Sequence, residues 1–318
     1  MKFEIDVPDL SRERIGNTGV PGVWHFDSGK PGPSVLVTAL IHGNELCGAW
    51  ALKELLAAEI RPAQGKLTLL FGNLDAFDRF DRNHHDASRF VDVDLNRVWT
   101  PGRLSAPDSA EARRAAQLRP WVEQADRMLD IHSMHEPSPP LLVVGTLQRN
   151  IEFGRQLGIP RHVIIDPGHK DGVRMRDFAQ FGDPDADALA VLIECGFHGS
   201  RSSLEVARRL AGRFLFLTGA VAPERLPAHW PDIRNAEGGQ EFLRVTEPVV
   251  ASTFDFVFTQ PWQGMECIEK QGTVIGYDNG APVATPYDDC VLIMPSLRQL
   301  LPGVTVVRLA RRESVHAG

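Results

Sequence analysis

The 318-residue sequence has few cysteines, few tyrosines and no long apolar run, and each shortage excludes a class of protein. Its four cysteines are scattered and form no CxxC pair, so neither a disulfide framework nor a zinc ribbon is predicted. The apolar stretches are far too short to span a bilayer, and the N-terminal residues MKFEIDVPDL lack the apolar core of a signal peptide. We therefore expect a reduced, cytoplasmic protein without a membrane segment.

Positive charge is also in short supply. The chain has 34 lysines and arginines against 41 aspartates and glutamates, which gives a net charge of −7. An acidic chain is not expected to bind nucleic acid or an anionic membrane as its main partner. A basic pocket inside such a chain can still bind a small anionic substrate, and the sequence leaves open whether the chain is a homo-oligomer.

The sequence does contain short β-rich runs that alternate with helical patterns between about residues 34 and 222. The nearly continuous apolar runs at 34–41 and 188–194 are typical of strands covered on both faces by helices. After a Pro- and Gly-rich connector at 223–239, the strand-like segments are short and separated by turns. We predict an α/β fold with a mixed, mostly parallel sheet flanked by helices over residues 1–235. A smaller C-terminal all-β domain is predicted over 236–318.

Common catalytic signatures such as GxSxG, HExxH and a P-loop are missing. Polar residues instead follow several predicted strands, at the sheet edge where α/β proteins bind ligands. His42 ends the first strand, Gly43 allows a sharp turn, and Glu45 begins the next helix. His132 ends another predicted strand. Two histidines and one carboxylate supplied in this way are typical of a zinc site with an open fourth position, although either histidine alone is equally typical of a hydrogen-bonded strand end.

Two further carboxylates belong to the same predicted strands. Asp130 lies two residues before His132, on the same face of an extended strand, and is placed to orient its imidazole. Glu194 closes the most apolar strand, where it can serve as a general base near the metal or cap the following helix.

The segment 89–97, RFVDVDLNR, is a third polar cluster. Arg89 and Arg97 flank it, and Asn96 precedes the second arginine. Arginine offers a planar charged fork that suits a carboxylate or a developing oxyanion. Without the other clusters, a salt-bridged surface segment explains this pattern equally well.

Taken together, four segments resemble the succinylglutamate desuccinylase/aspartoacylase family, relatives of the zinc carboxypeptidases. The matching stretches are HGNE at 42–45, RFVDVDLNR at 89–97, DIHS at 130–133 and IECG at 193–196. The resemblance implies a zinc-dependent amidohydrolase that removes an acyl group from an N-acyl amino acid or a similar small amide with a free carboxylate. It also implies that the small β domain partly covers the active site.

The resemblance further implies a role for individual residues. One zinc ion is expected on His42, Glu45 and His132, with Glu194 as general base and proton shuttle. Arg89 is expected to polarise the scissile carbonyl. The expected ligands of the substrate carboxylate are Asn96 and Arg97.

The sequence departs from the family pattern in two places. Family members with acidic substrates carry an additional arginine shortly before the catalytic glutamate, and the ten residues before Glu194 contain none. Arg174 and Arg176 are candidate substitutes for it. The second departure concerns a tyrosine that several family members contribute from the C-terminal domain and that has no clear counterpart here. The sequence contains only Tyr277 and Tyr287, and we name Tyr287 as the candidate.

Two alternative functions remain: a zinc carboxypeptidase acting on peptides, and a catalytically silent binding protein on the same fold.

Other features of the sequence carry less weight. The stretch HHD at 84–86 suggests a second metal site but is expected to be a solvated loop. His169 is expected to be a turn residue or to line the pocket, and Cys195 with His198 suggests a thiol nucleophile, for which buried packing is the preferred explanation.

Overall fold

The computed structural model describes residues 3–236 and 238–313. Within these residues fourteen strands are formed: β1 (Val23–Asp27), β2 (Ser34–Ala39), β3 (Lys66–Phe71), β4 (Arg127–Met134), β5 (Leu141–Val143), β6 (His162–Ile165), β7 (Leu189–Phe197), β8 (Glu241–Val250), β9 (Val257–Phe258), β10 (Cys267–Ile268), β11 (Val274–Asp278), β12 (Ala281–Ala284), β13 (Cys290–Ile293) and β14 (Thr305–Arg312). The helices are α1 (Leu46–Ala57), α2 (Leu74–Phe77), α3 (Pro101–Ser105), α4 (Ala110–Glu123), α5 (Gln148–Leu157) and α6 (Arg201–Leu217), with short 3-10 turns between them.

Eleven strands form one mixed sheet in the order β1-β3-β2-β4-β7-β5-β6-β8-β14-β13-β10. Its centre, β3-β2-β4-β7, is parallel throughout, whereas β1 and β5 are antiparallel to β3 and β7. The predicted fold class, a mixed and mostly parallel sheet with helices followed by a smaller all-β part, is confirmed.

Strand β2 shows why the sheet is covered on both faces. All of its residues are buried. Val35 and Val37 pack with α1 and α6 in one apolar cluster, whereas Leu36 packs with α4 in another. Successive side chains of a strand point to opposite faces, so an unbroken apolar strand needs helices on both sides.

The C-terminal strands extend the main sheet instead of standing apart from it. Strand β8 pairs in parallel with β6, and β14, β13 and β10 follow it in antiparallel order. A separate three-stranded sheet contains β9, β11 and β12. The bounds 1–235 and 236–318 for two domains stay a prediction.

Parallel strands end at the same edge of a sheet, so the segments after β2, β4 and β7 meet there. This edge carries the candidate site described below. Among residues 3–236 and 238–313, none of the helices has both the length and the apolar character that crossing a bilayer requires.

Candidate active site

His42, Glu45 and His132 form a compact, buried group at the carboxyl edge of the sheet. One ligand atom from each lies within 4.8 Å of the other two. Nδ1 of His42 is 2.7 Å from one oxygen of Glu45, and Nδ1 of His132 is 2.9 Å from the other. Two imidazoles and one carboxylate are a donor set that zinc prefers, so these residues fit a metal ion by chemistry and by spacing.

Gly43 allows this arrangement through close packing rather than through an unusual backbone conformation. A Cβ atom at Gly43 would lie 2.4 Å from backbone atoms of Ala76 and Phe77 and 2.5 Å from the carbonyl oxygen of Ser88. The positive φ angle in this turn belongs instead to Leu40, at 56°. The predicted turn is therefore present, but glycine is needed because the segment lies against its neighbours.

Each histidine uses its second ring nitrogen to contact a carboxylate. Nε2 of His132 is 2.8 Å from Asp130, as the strand spacing predicts, and Thr38 donates a 2.5 Å hydrogen bond to the other Asp130 oxygen. Nε2 of His42 is 3.0 Å from Asp94, a partner that the sequence did not reveal. Both imidazoles are thereby oriented with Nδ1 toward Glu45.

Electrostatics keep the Asp94 carboxyl ionised. Burial on its own would raise the pKa of Asp94, but His42, Arg89 and Arg97 outweigh it and hold that pKa well below 3.8. For His132, burial would lower the pKa, but Asp130 and Glu45 raise it well above 6.5. The ligand group is therefore surrounded by charges that stabilise one another.

Glu194 lies directly beside His132, because the two residues are paired in register on the adjacent parallel strands β7 and β4. Its Oε2 atom is buried and has no hydrogen-bond partner among the described residues. Burial raises the pKa of Glu194 to about 8, with Glu45 and Asp130 adding to the rise and His132 and Arg89 opposing it. A carboxyl group in this state can take up and release a proton near neutral pH.

Arg89 approaches the same group from the loop that precedes α3. Its Nη2 atom donates a 3.0 Å hydrogen bond to Asp94, and Nη1 lies 3.6 Å from Glu45 and 3.3 Å from Nε2 of His135. The guanidinium is therefore held beside the three candidate metal ligands.

Glu111 of α4 holds the loop that carries Arg89. Its carboxylate accepts hydrogen bonds from the backbone N–H groups of Val91, Asp92 and Val93, and from the side chain of Asn73. The charged residue is buried, and the sequence analysis did not identify it. A glutamate in the first turn of a helix has many common explanations, so its contact with this loop could not be read from the chain.

Residues 31–197, slightly more than half of the chain, match the family described as the succinylglutamate desuccinylase/aspartoacylase catalytic domain. The chain belongs to this family. The matched range contains the three candidate ligands, Arg89 and Glu194, so the resemblance drawn from the four sequence segments is confirmed.

Curated relatives agree with this assignment. The chain is 40% identical over 92 residues to the succinylglutamate desuccinylase of Paraburkholderia xenovorans strain LB400, covering 27% of this chain and 24% of that protein. It is 36% identical over 88 residues to the enzyme of the same name from Burkholderia lata, covering 27% of this chain and 23% of that protein. The alignments thus span about a quarter of the length of these relatives.

The similarity of fold extends over most of the chain. The structure of succinylglutamate desuccinylase from Vibrio cholerae superposes with a TM-score of 0.67 and 16% identity, covering 92% of this chain and 86% of that one. Murine aminoacylase 3 superposes with a TM-score of 0.58 and 16% identity, covering 89% and 96%. At this level of identity the structures establish a shared fold.

Asn96 and Arg97, which the family resemblance places on the substrate carboxylate, differ in their surroundings. Asn96 is buried; its Nδ2 atom lies 3.4 Å from Nε2 of His132, and its Oδ1 accepts a hydrogen bond from the N–H of Met175. Arg97 is more exposed and donates to Asp171 through Nε at 3.3 Å. Asn96 thus contacts one candidate ligand directly, whereas the less buried Arg97 lies at the rim of the candidate site.

The two candidates for the family's additional arginine also differ. Arg174 forms ion pairs with Asp166 at 2.9 Å and with Asp177 at 2.6 Å, and its Nη2 atom is buried without a hydrogen-bond partner among the described residues. Arg176 is almost fully buried and donates through Nη2 to the carbonyl oxygens of Val144 and Ala190. Arg176 is therefore placed to hold backbone segments together rather than to reach a ligand.

Tyr287 does not lie beside the three candidate metal ligands. It is buried in the apolar cluster of the C-terminal strands, its hydroxyl is 2.7 Å from the hydroxyl of Thr246, and Arg311 stacks on its ring at 3.9 Å. Tyr277 lies partly exposed on β11. The expectation that Tyr287 lines the site came from the family pattern, and its position gives that expectation no support.

Arg308 of β14 supplies a basic side chain that the sequence analysis missed. It is buried, its Nη2 atom is 2.9 Å from Nε2 of His169, and Glu194 is close enough to influence its pKa. Burial lowers the pKa of His169, and the charges of Arg308, Arg97 and Arg174 lower it further. His169 is therefore held against Arg308 of β14. Arg308 could not be found from the chain, because its place depends on β14 lying beside β8 in the completed sheet.

The weaker sequence candidates are resolved as follows. Burial raises the pKa of the Cys195 thiol well above 9.0, and His198 contacts Ser133 and His135 instead of this cysteine, so the geometry does not support a thiol nucleophile. In the stretch 84–86, His84 is exposed as expected, but His85 and Asp86 are partly buried.

Proposed function

We propose that the chain is a zinc-dependent amidohydrolase that cleaves the amide bond of an N-acyl amino acid or a related small amide with a free carboxylate. The main support is the convergence of the ligand atoms of His42, Glu45 and His132 within 4.8 Å, beside the buried carboxyl of Glu194. Family membership agrees with this reaction, as do the names of similar proteins, which include desuccinylases and an aminoacylase.

His42, Glu45 and His132 would hold the metal, with Asp94 and Asp130 fixing the two imidazoles by their distal nitrogens. When bound, zinc supplies Lewis acidity toward the amide carbonyl and toward water. One ion per chain is expected, because the described residues bring together one group of donors with this spacing.

Glu194 would move the proton that the reaction requires. Its carboxylate accepts a proton from the attacking water and passes it to the nitrogen of the leaving amine. The raised pKa, about 8, suits a group that must bind the proton during attack and release it afterwards.

Arg89 would stabilise the oxyanion that develops on the scissile carbonyl. The guanidinium is already held in place by Asp94 and Glu45, so little reorganisation is required. Removal of one such donor typically costs about 3–4 kcal/mol of barrier, or about 10²–10³ in rate.

The basic side chains at the rim would bind the substrate carboxylates. Arg97 is the candidate for the carboxylate of the amino acid, as the resemblance implies. Arg308 shares the Asp166 carboxylate with Arg174, at 3.5 and 2.9 Å, and is the candidate for a second negative charge, in which case it would replace the family's additional arginine. A pocket of this kind can attract anions although the whole chain is acidic.

A hydrolysis screen tests this function. Zinc-loaded protein is incubated with N-acetyl, N-formyl and N-succinyl amino acids and with short peptides, and the released amino acid is quantified, with Glu194→Ala as control. Release from the N-acyl amino acids that is lost in Glu194→Ala supports the proposal. Release from peptides alone would favour the carboxypeptidase alternative, and an undiminished Glu194→Ala variant would overturn the mechanism.

A further inference from the structure

A cluster of buried and partly buried polar side chains contacts Nη1 of Arg89, whereas Asp94 contacts Nη2. His135 is at its centre: Nε2 is 3.3 Å from Nη1 of Arg89, and Nδ1 is 2.8 Å from Oδ1 of Asp86. Neither contact of His135 involves a candidate metal ligand. They form a chain from Asp86 through His135 to the guanidinium.

The partners of His135 determine which of its nitrogens carries the proton. A guanidinium is always charged and can only donate hydrogen bonds, so Nε2 of His135, which faces Arg89, must be the acceptor. The ring is then neutral with its proton on Nδ1, where Asp86 accepts it. Burial lowers the pKa of His135 and the charge of Arg89 lowers it further, which agrees with a neutral ring.

His198 fixes the orientation of this ring. The two imidazoles are packed edge to face with their centroids 4.7 Å apart, and Nε2 of His198 is 3.3 Å from Nδ1 of His135. The other nitrogen of His198 is 2.8 Å from the hydroxyl of Ser133, and the side chain is fully buried. The His135 ring thus cannot turn without disrupting a second buried histidine.

The Asp86 end of this hydrogen-bond chain contacts the C-terminal part of the molecule. Arg298, which follows β13, donates to Oδ2 of Asp86 at 3.3 Å and to Glu136 at 2.6 Å. Asp86 is therefore held by His135 through one oxygen and by Arg298 through the other.

We propose that Asp86 and His135 are positioning residues for Arg89. Asp86 as acceptor and Arg89 as donor favour the same Nδ1-protonated tautomer of His135, and the acceptor at Nε2 keeps the guanidinium directed toward the candidate metal ligands. A neutral acceptor does this without adding a third carboxylate to those of Asp94 and Glu45. This inference rests on the proposed function, because it requires that Arg89 acts on the scissile carbonyl.

The tautomer can be tested without a substrate. Nitrogen-15 NMR of the histidine rings in zinc-loaded protein distinguishes protonated from unprotonated nitrogens, and His135→Gln identifies the signals of His135. We expect Nδ1 to carry the proton in the unmodified protein, and we expect this preference to weaken in the Asp86→Leu variant, which has no acceptor for Nδ1–H. A proton on Nε2 in the unmodified protein would overturn the proposal.

Kinetics then test whether His135 acts through Arg89. His135→Leu should lower kcat by about 10–100-fold, with KM and zinc content unchanged, as is typical when a supporting hydrogen bond is removed. His135→Gln keeps an acceptor at the Nε2 position and should retain most of the activity. In an Arg89→Ala background, His135→Leu should cause no further loss.

Three results would contradict the positioning role. These are an equal loss from His135→Leu in both backgrounds, no advantage of Gln over Leu, and a loss of zinc in Asp86→Leu. If the unmodified protein hydrolyses none of the amides, the proposed function fails, whereas the NMR result still decides the tautomer. The two failures are therefore distinguishable.

Discussion

Glu194 and His132 face each other across two adjacent parallel strands, in the same register of β7 and β4. A proposed metal ligand and the proposed proton carrier are thus positioned by sheet hydrogen bonds rather than by loops. Groups supported in this way stay in place when a neighbouring side chain changes, which makes substitutions in the site informative.

Replacement of Glu194 by glutamine should separate catalysis from metal binding. The amide has the same shape but cannot carry the proton, so we expect kcat to fall by about 10²–10⁴ while zinc content is retained. Zinc is measured by atomic absorption and turnover by release of the amino acid. Loss of zinc together with activity would show that Glu194 acts as a ligand instead.

The carboxylates behind the two histidines should control affinity for zinc. Asp130→Asn and Asp94→Asn each weaken the hold on one imidazole, and such changes typically cost about 10–100-fold in metal affinity. Competition with a chromophoric chelator measures the dissociation constant, with Asp255→Asn at an exposed position as control. Zinc affinity equal to that of the control in both variants would show that neither contact orients a ligand.

Arg308 should distinguish substrates by charge. If its guanidinium binds a second carboxylate, Arg308→Leu loses a charged hydrogen bond worth about 1.5–3 kcal/mol, which is about 10–150-fold in kcat/KM for N-succinyl substrates. N-acetyl substrates, which lack that carboxylate, should be affected much less. Arg308→Lys keeps the charge and serves as the matched control.

The comparison of the two substrate types decides the role of Arg308. Equal losses of kcat/KM for N-succinyl and N-acetyl substrates would show that Arg308 supports the structure of the site and does not bind the acyl carboxylate.

The grouping of His42, Glu45 and His132 beside Glu194 could be predicted from the sequence because each belongs to a short segment at the end of an apolar strand. Strand ends are local features, and parallel strands bring their carboxyl ends to one edge whatever the details of the fold. The identities of His42, Glu45 and His132 therefore carried enough information without any knowledge of strand order.

Asp94, Glu111 and Arg308 could not be assigned in the same way. Asp94 lies within a recognised segment, but its contact with His42 depends on how that loop folds back. Glu111 contacts residues about twenty positions earlier, and Arg308 reaches the site only through the pairing of β14 with β8. Such contacts depend on tertiary packing, and they cannot be predicted from the spacing or the hydrophobic periodicity of residues in the sequence.

Glu54 offers a prediction about stability at a distance from the site. It lies on α1 and accepts hydrogen bonds from Nε of Arg208 on α6 at 2.9 Å and from Nε1 of Trp230 at 2.7 Å. Burial alone would raise the pKa of Glu54, but the hydrogen bonds from Arg208 and Trp230 outweigh it and lower that pKa below 4.5. The ionised carboxylate thus ties α1 to α6 and to the segment after it.

A group whose pKa is lower in the folded state stabilises the fold above its unfolded pKa, and this contribution disappears as the pH falls through the folded pKa. Glu54→Gln should therefore lower the free energy of unfolding by about 1–2 kcal/mol at neutral pH, a value reduced for partial exposure. The difference from the unmodified protein should narrow as the pH falls below about 4.5. Urea denaturation over this pH range measures the difference in the free energy of unfolding. The control is Glu205→Gln, because Glu205 contacts Arg208 from the exposed side. A difference independent of pH would show that shape rather than charge explains the contribution of Glu54.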